Sequence, residues 1–168
     1  HFMRDGSLIW WSERSGHGHL YRFSDGKWTQ LTHGDWDVAG LAGVDEKNGR
    51  IYFLANKDGV LERHLYALNL SDPSDITRLT ETGWWNSASM DGDASRAIIS
   101  RSNRDQPTQV YLADATGKRI EWISRNDVQD PDHPYHPYLP SHRETKFGTI
   151  TGPGGQVLHW EMITPKLE

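Results

Sequence analysis

Six residues near the start of the chain have types suited to hydrolysis: Ser12, Glu13, His17, His19, His33 and Asp35, within "SERSGHGHLYRFSDGKWTQLTHGDWDV". A serine nucleophile needs a base beside it and an acid to orient that base. It also needs a strained turn, commonly written G-x-S-x-G, to present its hydroxyl. No G-x-S-x-G occurs in the sequence. Ser12 falls at a strand end, and Ser15 and Ser24 fall in turns, so none is assigned as a nucleophile.

Metal ligation fares no better. His17 and His19 lie two apart and would share one face of a strand, but the spacing suggests no third ligand. A solvated hairpin loop accounts for both. His133 and His136, in "DHPYHPY", sit in a segment stiffened by prolines. Their neighbours Tyr135 and Tyr138 point to packing, with the histidines at its edge, and whether the pair binds anything is left open. "DGDASR", Asp91 to Arg96, starts like a calcium loop but lacks the downstream bidentate glutamate. "GPGGQ" has no Lys-Ser/Thr after it and so is not a phosphate cradle. The pairs Trp10-Trp11 and Trp84-Trp85 are expected to place one ring in a core and the other on the opposite face. No catalytic, substrate-binding or metal residue is assigned, and no cofactor is expected.

Composition narrows the class. At 168 residues the chain has the length of one ordinary domain. Eighteen Lys and Arg against 23 Asp and Glu leave a net charge of -5, without the basic footprint of a nucleic-acid partner. No apolar run approaches the roughly 18 residues that span a bilayer, so no membrane segment is expected. Zero cysteines exclude disulfides, thiolate metal sites and a thiol nucleophile. The chain opens at His1 without an initiator Met and closes on Lys-Leu-Glu. Leu167 and Glu168 read as a cloning scar, and the whole as an excised fragment.

The elements that carry these residues are strands. "SLIWWSE", "RIYFLA", "HLYALNL", "RAIISR", "QVYLAD" and "VLHWEMI" alternate or run apolar, and eight Trp with six Tyr suit a layered β core. Asp5-Gly6, Asp25-Gly26, Asn48-Gly49, Asp58-Gly59 and Asp91-Gly92 between them tolerate the positive φ of tight turns. Tyr21, Tyr66 and Tyr111 recur at intervals of 45. Leu31-Thr32, Leu79-Thr80 and Ile123-Ser124 follow at 48 and 44; Ser7, Arg50 and Arg96 at 43 and 46. A period near 45 with four strands per unit is the signature of β-propeller blades.

The fold expected is therefore all-β, with about three consecutive four-stranded antiparallel β-propeller blades, part of a larger propeller, plus a C-terminal hairpin. The blades fall at 1–34, 35–83 and 84–124. The middle unit's strands are Val38–Val44, Arg50–Ala55, His64–Leu70 and Ile76–Thr80; the first has three strands and a stub at His1-Phe2. Residues 125–145 form an extended Pro-rich connector, and 146–166 the hairpin, with Gly152 to Gly155 at its turn.

"WWSERSGHGHLYRF" with "QLTHGDWDV", then "IYFLAN" and "ERHLYALNL", resembles the propeller of dipeptidyl peptidase IV-like members of the prolyl oligopeptidase family of serine peptidases. The tail "HPYHPYLPSHRETKFGTITGPGGQVLHWEMITP" is similar to that family's exit from the propeller into an α/β-hydrolase domain. The resemblance implies a bacterial parent, exported or periplasmic, that removes N-terminal dipeptides with Pro or Ala at the second position. It implies peptide substrates, a hydrolase domain in cis that holds the Ser-Asp-His triad, and a propeller that caps the active site and filters substrates. The family's amine-binding Glu-Glu pair has no counterpart here. The rival expectation is a propeller scaffold that binds protein or sugar partners without a peptidase. Self-association through the end faces, around Trp10, Ile98 and Tyr111, is also expected.

Overall fold

Residues 1–165 are described from a computed structural model; Lys166, the last residue of the expected hairpin, and Leu167 and Glu168, read as a cloning scar, lie outside the described residues. The chain divides into two units, His1–Asp127 and Val128–Glu168.

The first unit is three antiparallel meanders. Sheet 1 holds β1 (Leu8–Ser12), β2 (His19–Ser24) and β3 (Lys27–Gln30). Sheet 2 holds β4 (Val38–Asp45), β5 (Arg50–Ala55), β6 (His64–Asn69) and β7 (Asp72–Arg78). Sheet 3 holds β8 (Trp85–Met90), β9 (Arg96–Ser102), β10 (Gln109–Asp114) and β11 (Arg119–Ser124). Sheet 1 gains a short extra rung, because Phe2 bridges to Leu8 while the His1 ammonium donates to the Ile9 carbonyl at 2.9 Å. The all-β repeat read from alternation is the fold.

Sheet 2 buries both faces, and its sequence explains why. Along "RIYFLA" of β5, Ile51, Phe53 and Ala55 enter one core with Ile9, Leu20 and Val38. Tyr52 and Leu54 enter a second core with Ile99, Tyr111 and Ala113 of sheet 3. A strand buried on both sides reads as an unbroken apolar run. The first strands of sheets 2 and 3 must approach closely, which small residues permit: a Cβ on Gly43 of β4 would sit 2.8 Å from the Met90 Cβ of β8.

Two expectations shift. The fourth strand of sheet 2 runs Asp72–Arg78 rather than Ile76–Thr80. Leu79 and Thr80 leave the ladder to cap β6, with Leu79 N donating to Leu65 O at 2.8 Å and Leu65 N to Thr80 Oγ1 at 3.2 Å. As an edge strand, β7 also tolerates Pro73. At Asp25-Gly26 both residues take positive φ, 51° and 74°, closing β2 onto β3 with a two-residue turn. At Asp91-Gly92 the positive φ falls instead on Ala94, at 55°.

In the second unit the proline-rich segment is not extended throughout, since His136–Ser141 forms a 3-10 helix. Tyr138 N donates to Tyr135 O and His142 N to Leu139 O, both at 3.0 Å, with Pro137 and Pro140 at positions whose missing N–H the turn does not use. β12 (Thr145–Thr151) then pairs with β13 (Val157–Ile163), from Thr145↔Ile163 to Thr151↔Val157. Gly152 N donates to Gln156 O at 2.8 Å across the turn. Among the described residues, no helix is long and apolar enough to cross a membrane.

Candidate functional site

The six residues flagged for hydrolysis lie around the β1–β2 connection and the segment after β3, and they are not assembled. Ser12 Oγ accepts from Arg14 N at 3.3 Å and Arg14 Nε at 3.1 Å. Ser15 Oγ accepts from Tyr21 OH at 2.8 Å, and Ser24 Oγ donates to Asp25 at 2.9 Å. Glu13 turns the chain through its carbonyl, which accepts from Gly16 N, while His33 and Asp35 are exposed. Arg14 is held between the rings of Tyr21 and Trp28, 4.4 Å from each. No histidine is hydrogen-bonded to Ser12, Ser15 or Ser24 among the described residues.

His17 and His19 have separate surroundings. His17 is half-buried with Nδ1 3.4 Å from Asp37, whereas His19 is 1% exposed, which corrects the expectation of a solvated loop for both. His19 Nε2 lies 3.0 Å from Gly34 O, which can only accept, so Nε2 carries the proton. Nδ1 then accepts from Thr32 Oγ1 at 3.0 Å, and Thr32 Oγ1 accepts from Leu20 N at 3.0 Å. Sheet 2 repeats the device. His64 Nδ1 meets Thr80 Oγ1 at 2.9 Å, Thr80 accepts from Leu65 N, and Glu62 accepts a hydrogen bond from Nε2 at 2.7 Å.

Burial lowers the pKa of His19, against an opposing push from the Gly34 carbonyl. The Gly18 amide, followed by His17, holds the Asp37 carboxyl below the usual carboxylate range. Burial opposes ionisation of Glu62, yet the Gly83 amide and His64 lower its pKa overall.

The remaining candidates also resolve into local structure. His136 Nδ1 sits 3.1 Å from Val128 O, and His133 Nδ1 accepts from Tyr135 N at 3.1 Å. Asp91 accepts from Ser95 N at 2.7 Å and Arg96 N at 3.0 Å, so the calcium-like "DGDASR" closes its own turn. Gly152 to Gly155 form the hairpin turn. Neither Trp pair places a ring in the core. Trp10 and Trp85 are 52% and 45% exposed; Trp11 donates to Val38 O at 2.7 Å, and Trp84 lies 4.0 Å from the Arg101 guanidinium. Among the described residues, no three His, Asp or Glu are grouped to hold a metal.

A cavity of about 600 Å³ opens among the β4–β5, β8–β9 and β10–β11 turns, but its acids are already engaged. Asp45 accepts from Asn48, Glu46 from Arg4 N, and Asp114 from Thr116 and Lys118. These bonds lower the pKa of Asp45 and Asp114.

Sequence reading missed Arg101. It lies on β9, 9% exposed, with Nε donating to Gln109 Oε1 at 3.1 Å and Nη1 to Glu81 at 2.7 Å. Its partners come from three other segments, and no short motif announces them.

The family model for the dipeptidyl peptidase IV (DPP IV) N-terminal region matches residues 1–108. The chain belongs to the dipeptidyl peptidase IV family. The matched residues take in β1 to β9, and so both His–Thr relays of this dipeptidyl peptidase IV region. The chain is 31% identical over 128 residues to the Aspergillus flavus protein named "Probable dipeptidyl peptidase 4", covering 73% of this chain and 16% of that protein. It is 36% identical over 86 residues to human dipeptidyl peptidase 8, covering 49% of this chain and 10% of that one. The chain thus spans about a sixth or less of these relatives' lengths. In fold it is similar to a crystal structure from Bacteroides ovatus described as a dipeptidyl aminopeptidase IV. The TM-score is 0.72 at 23% identity, over 95% of this chain and 25% of the other.

Proposed function

We propose that the chain is a non-catalytic propeller segment of a dipeptidyl peptidase IV-like serine exopeptidase, which removes N-terminal dipeptides with Pro or Ala at the second position. In this reading residues 1–34, 35–83 and 84–124 are successive blades, 125–145 the connector, and 146–166 the hairpin leading to an α/β-hydrolase domain in cis. The triad belongs to that domain. The propeller caps the active site and filters its peptide substrates, since a folded protein does not fit a narrow enclosed cavity.

The observation that carries the reading is the match of residues 1–108 to the family's N-terminal region, on sheets stacked through two apolar cores. Ser12, Ser15 and Ser24 engaged with arginine, tyrosine and aspartate support a structural role for this segment. The full-length protein that carries this segment tests the proposal. It should release the dipeptide from a peptide beginning Ala-Pro and leave the N-acetylated peptide and a folded protein with the same N-terminus intact. Equal cleavage of the folded protein would contradict the filter; no dipeptide release at all would contradict the activity.

A further inference from the structure

The Arg101 cluster sits beside a cleft that the proposed function leaves unused. The cleft encloses about 360 Å³, within the range of small-molecule sites, and is lined by Glu81, Arg101, Tyr111, Lys118 and Arg119. One face comes from the segment just after β7 and the other from β10 and the β10–β11 turn. Gly117, with φ of 82°, presses that turn against the Leu79 carbonyl and closes the cleft there.

The lining is rich in donors, in a chain whose net charge is -5. Arg101 is fixed, because its guanidinium lies 4.0 Å from the Trp84 ring and 5.4 Å from that of Trp122, and Gln109 and Glu81 bind its Nε and Nη1. Its Nη2 makes no hydrogen bond to the described residues. The Tyr111 hydroxyl likewise has no hydrogen-bond partner among them, and burial raises its pKa, so it remains a donor at neutral pH. Glu81 offsets the charge of Arg101. Lys118 and Arg119, exposed on the same cleft, supply two further positive charges, with Arg119 steadied 4.4 Å over the Trp122 ring.

We propose that this cleft binds a small dianion through carboxylate or phosphate oxygens, with the Arg101 Nη2 edge and Tyr111 OH as fixed donors and Lys118 and Arg119 as the charge-matching pair. A pre-organised arginine edge suits either oxyanion geometry. The proposal rests on the cleft's own residues and stands whether or not the proposed function holds.

Calorimetric titration of the 168-residue chain with inorganic phosphate, and separately with succinate, at constant ionic strength tests it. At least one probe should saturate at one per chain. Saturation by phosphate alone marks a tetrahedral ligand, by succinate alone a dicarboxylate, and by both the shared chemistry. The variant K118S/R119S changes two exposed side chains and should melt like the parent, yet bind at least about tenfold more weakly. K27S/K47S, which removes two exposed positive charges elsewhere, should bind unchanged. No saturation by either probe, or undiminished binding by K118S/R119S, overturns the proposal.

Discussion

Histidine 19 shows how a residue with catalytic credentials can be occupied by architecture. Its two nitrogens are both engaged, one against Gly34 O and one against Thr32 Oγ1, and the hydroxyl also serves the Leu20 amide. Thr32→Val removes the hydroxyl and leaves two buried groups without partners, so unfolding in urea should show a loss of about 1–3 kcal/mol. Thr32→Ser should recover most of it; a Val variant as stable as the parent would remove the relay from the account. The pH dependence follows from the same geometry. Burial places the folded-state pKa of His19 below its ordinary 6.5, so the unfolded chain takes up the proton first. This contribution is complete above pH 6.5 and declines as pH falls below it. Asp37, Asp45 and Asp114, held below 3.8, add a second loss only under more acid conditions. Thermal unfolding across this range should therefore fall in two stages, and replacing His19 with Gln should blunt the first. Sequence alone made His17 and His19 look alike. Only the return of Thr32 and Gly34 to the start of β2 separates them, and that contact spans 13 to 15 residues.

At the scale of elements, strands and turns were legible where local rules act alone. Asp25-Gly26 closes its hairpin with two positive φ values, and β5 starts and stops at Arg50 and Ala55 as its apolar run indicates. Misreadings arose where a distant partner decides. Leu79 and Thr80 have strand-forming side chains but leave β7 to cap β6, and part of the connector, His136–Ser141, closes into a 3-10 helix through bonds such as Tyr138 N to Tyr135 O that its prolines do not announce. Arg101 carried no signal, since its value lies in Glu81, Gln109 and two tryptophans brought together by the stacking of sheets. Glycines give a sharp test of turn geometry. Gly117 has φ of 82° and faces the Leu79 carbonyl, whereas Gly26 has φ of 74° and open space. Gly117→Ala should cost about 1–3 kcal/mol by thermal or urea unfolding, while Gly26→Asn should cost less than about 1. Equal costs would show that the approach to Leu79 is not tight.

At the scale of the whole molecule, the period near 45 foretold stacked sheets, and the two apolar cores lie between them. Sheets 1 and 3 each leave large apolar side chains exposed, Trp10 at 52% and Ile98 at 52%. Tyr111, expected on such a face, is 5% exposed and packs inside, so any contact between copies centres on Trp10 and Ile98. Covering a patch of several hundred Å² at about 25 cal/mol per Å² favours association by several kcal/mol before entropic costs. Our reading is that the isolated chain self-associates as an isologous dimer, so light scattering should report a mass above 19.2 kDa that falls for Trp10→Ser with Ile98→Ser. A monodisperse monomer at high concentration would contradict it. The central claim, that this dipeptidyl peptidase IV segment provides architecture and no chemistry, is tested most directly by assaying the purified 168-residue chain on an Ala-Pro chromogenic substrate, with the full-length protein alongside. Our account predicts background release by the chain and serine-inhibitor-sensitive release by the full-length protein; inhibitor-sensitive turnover by the chain alone would contradict it.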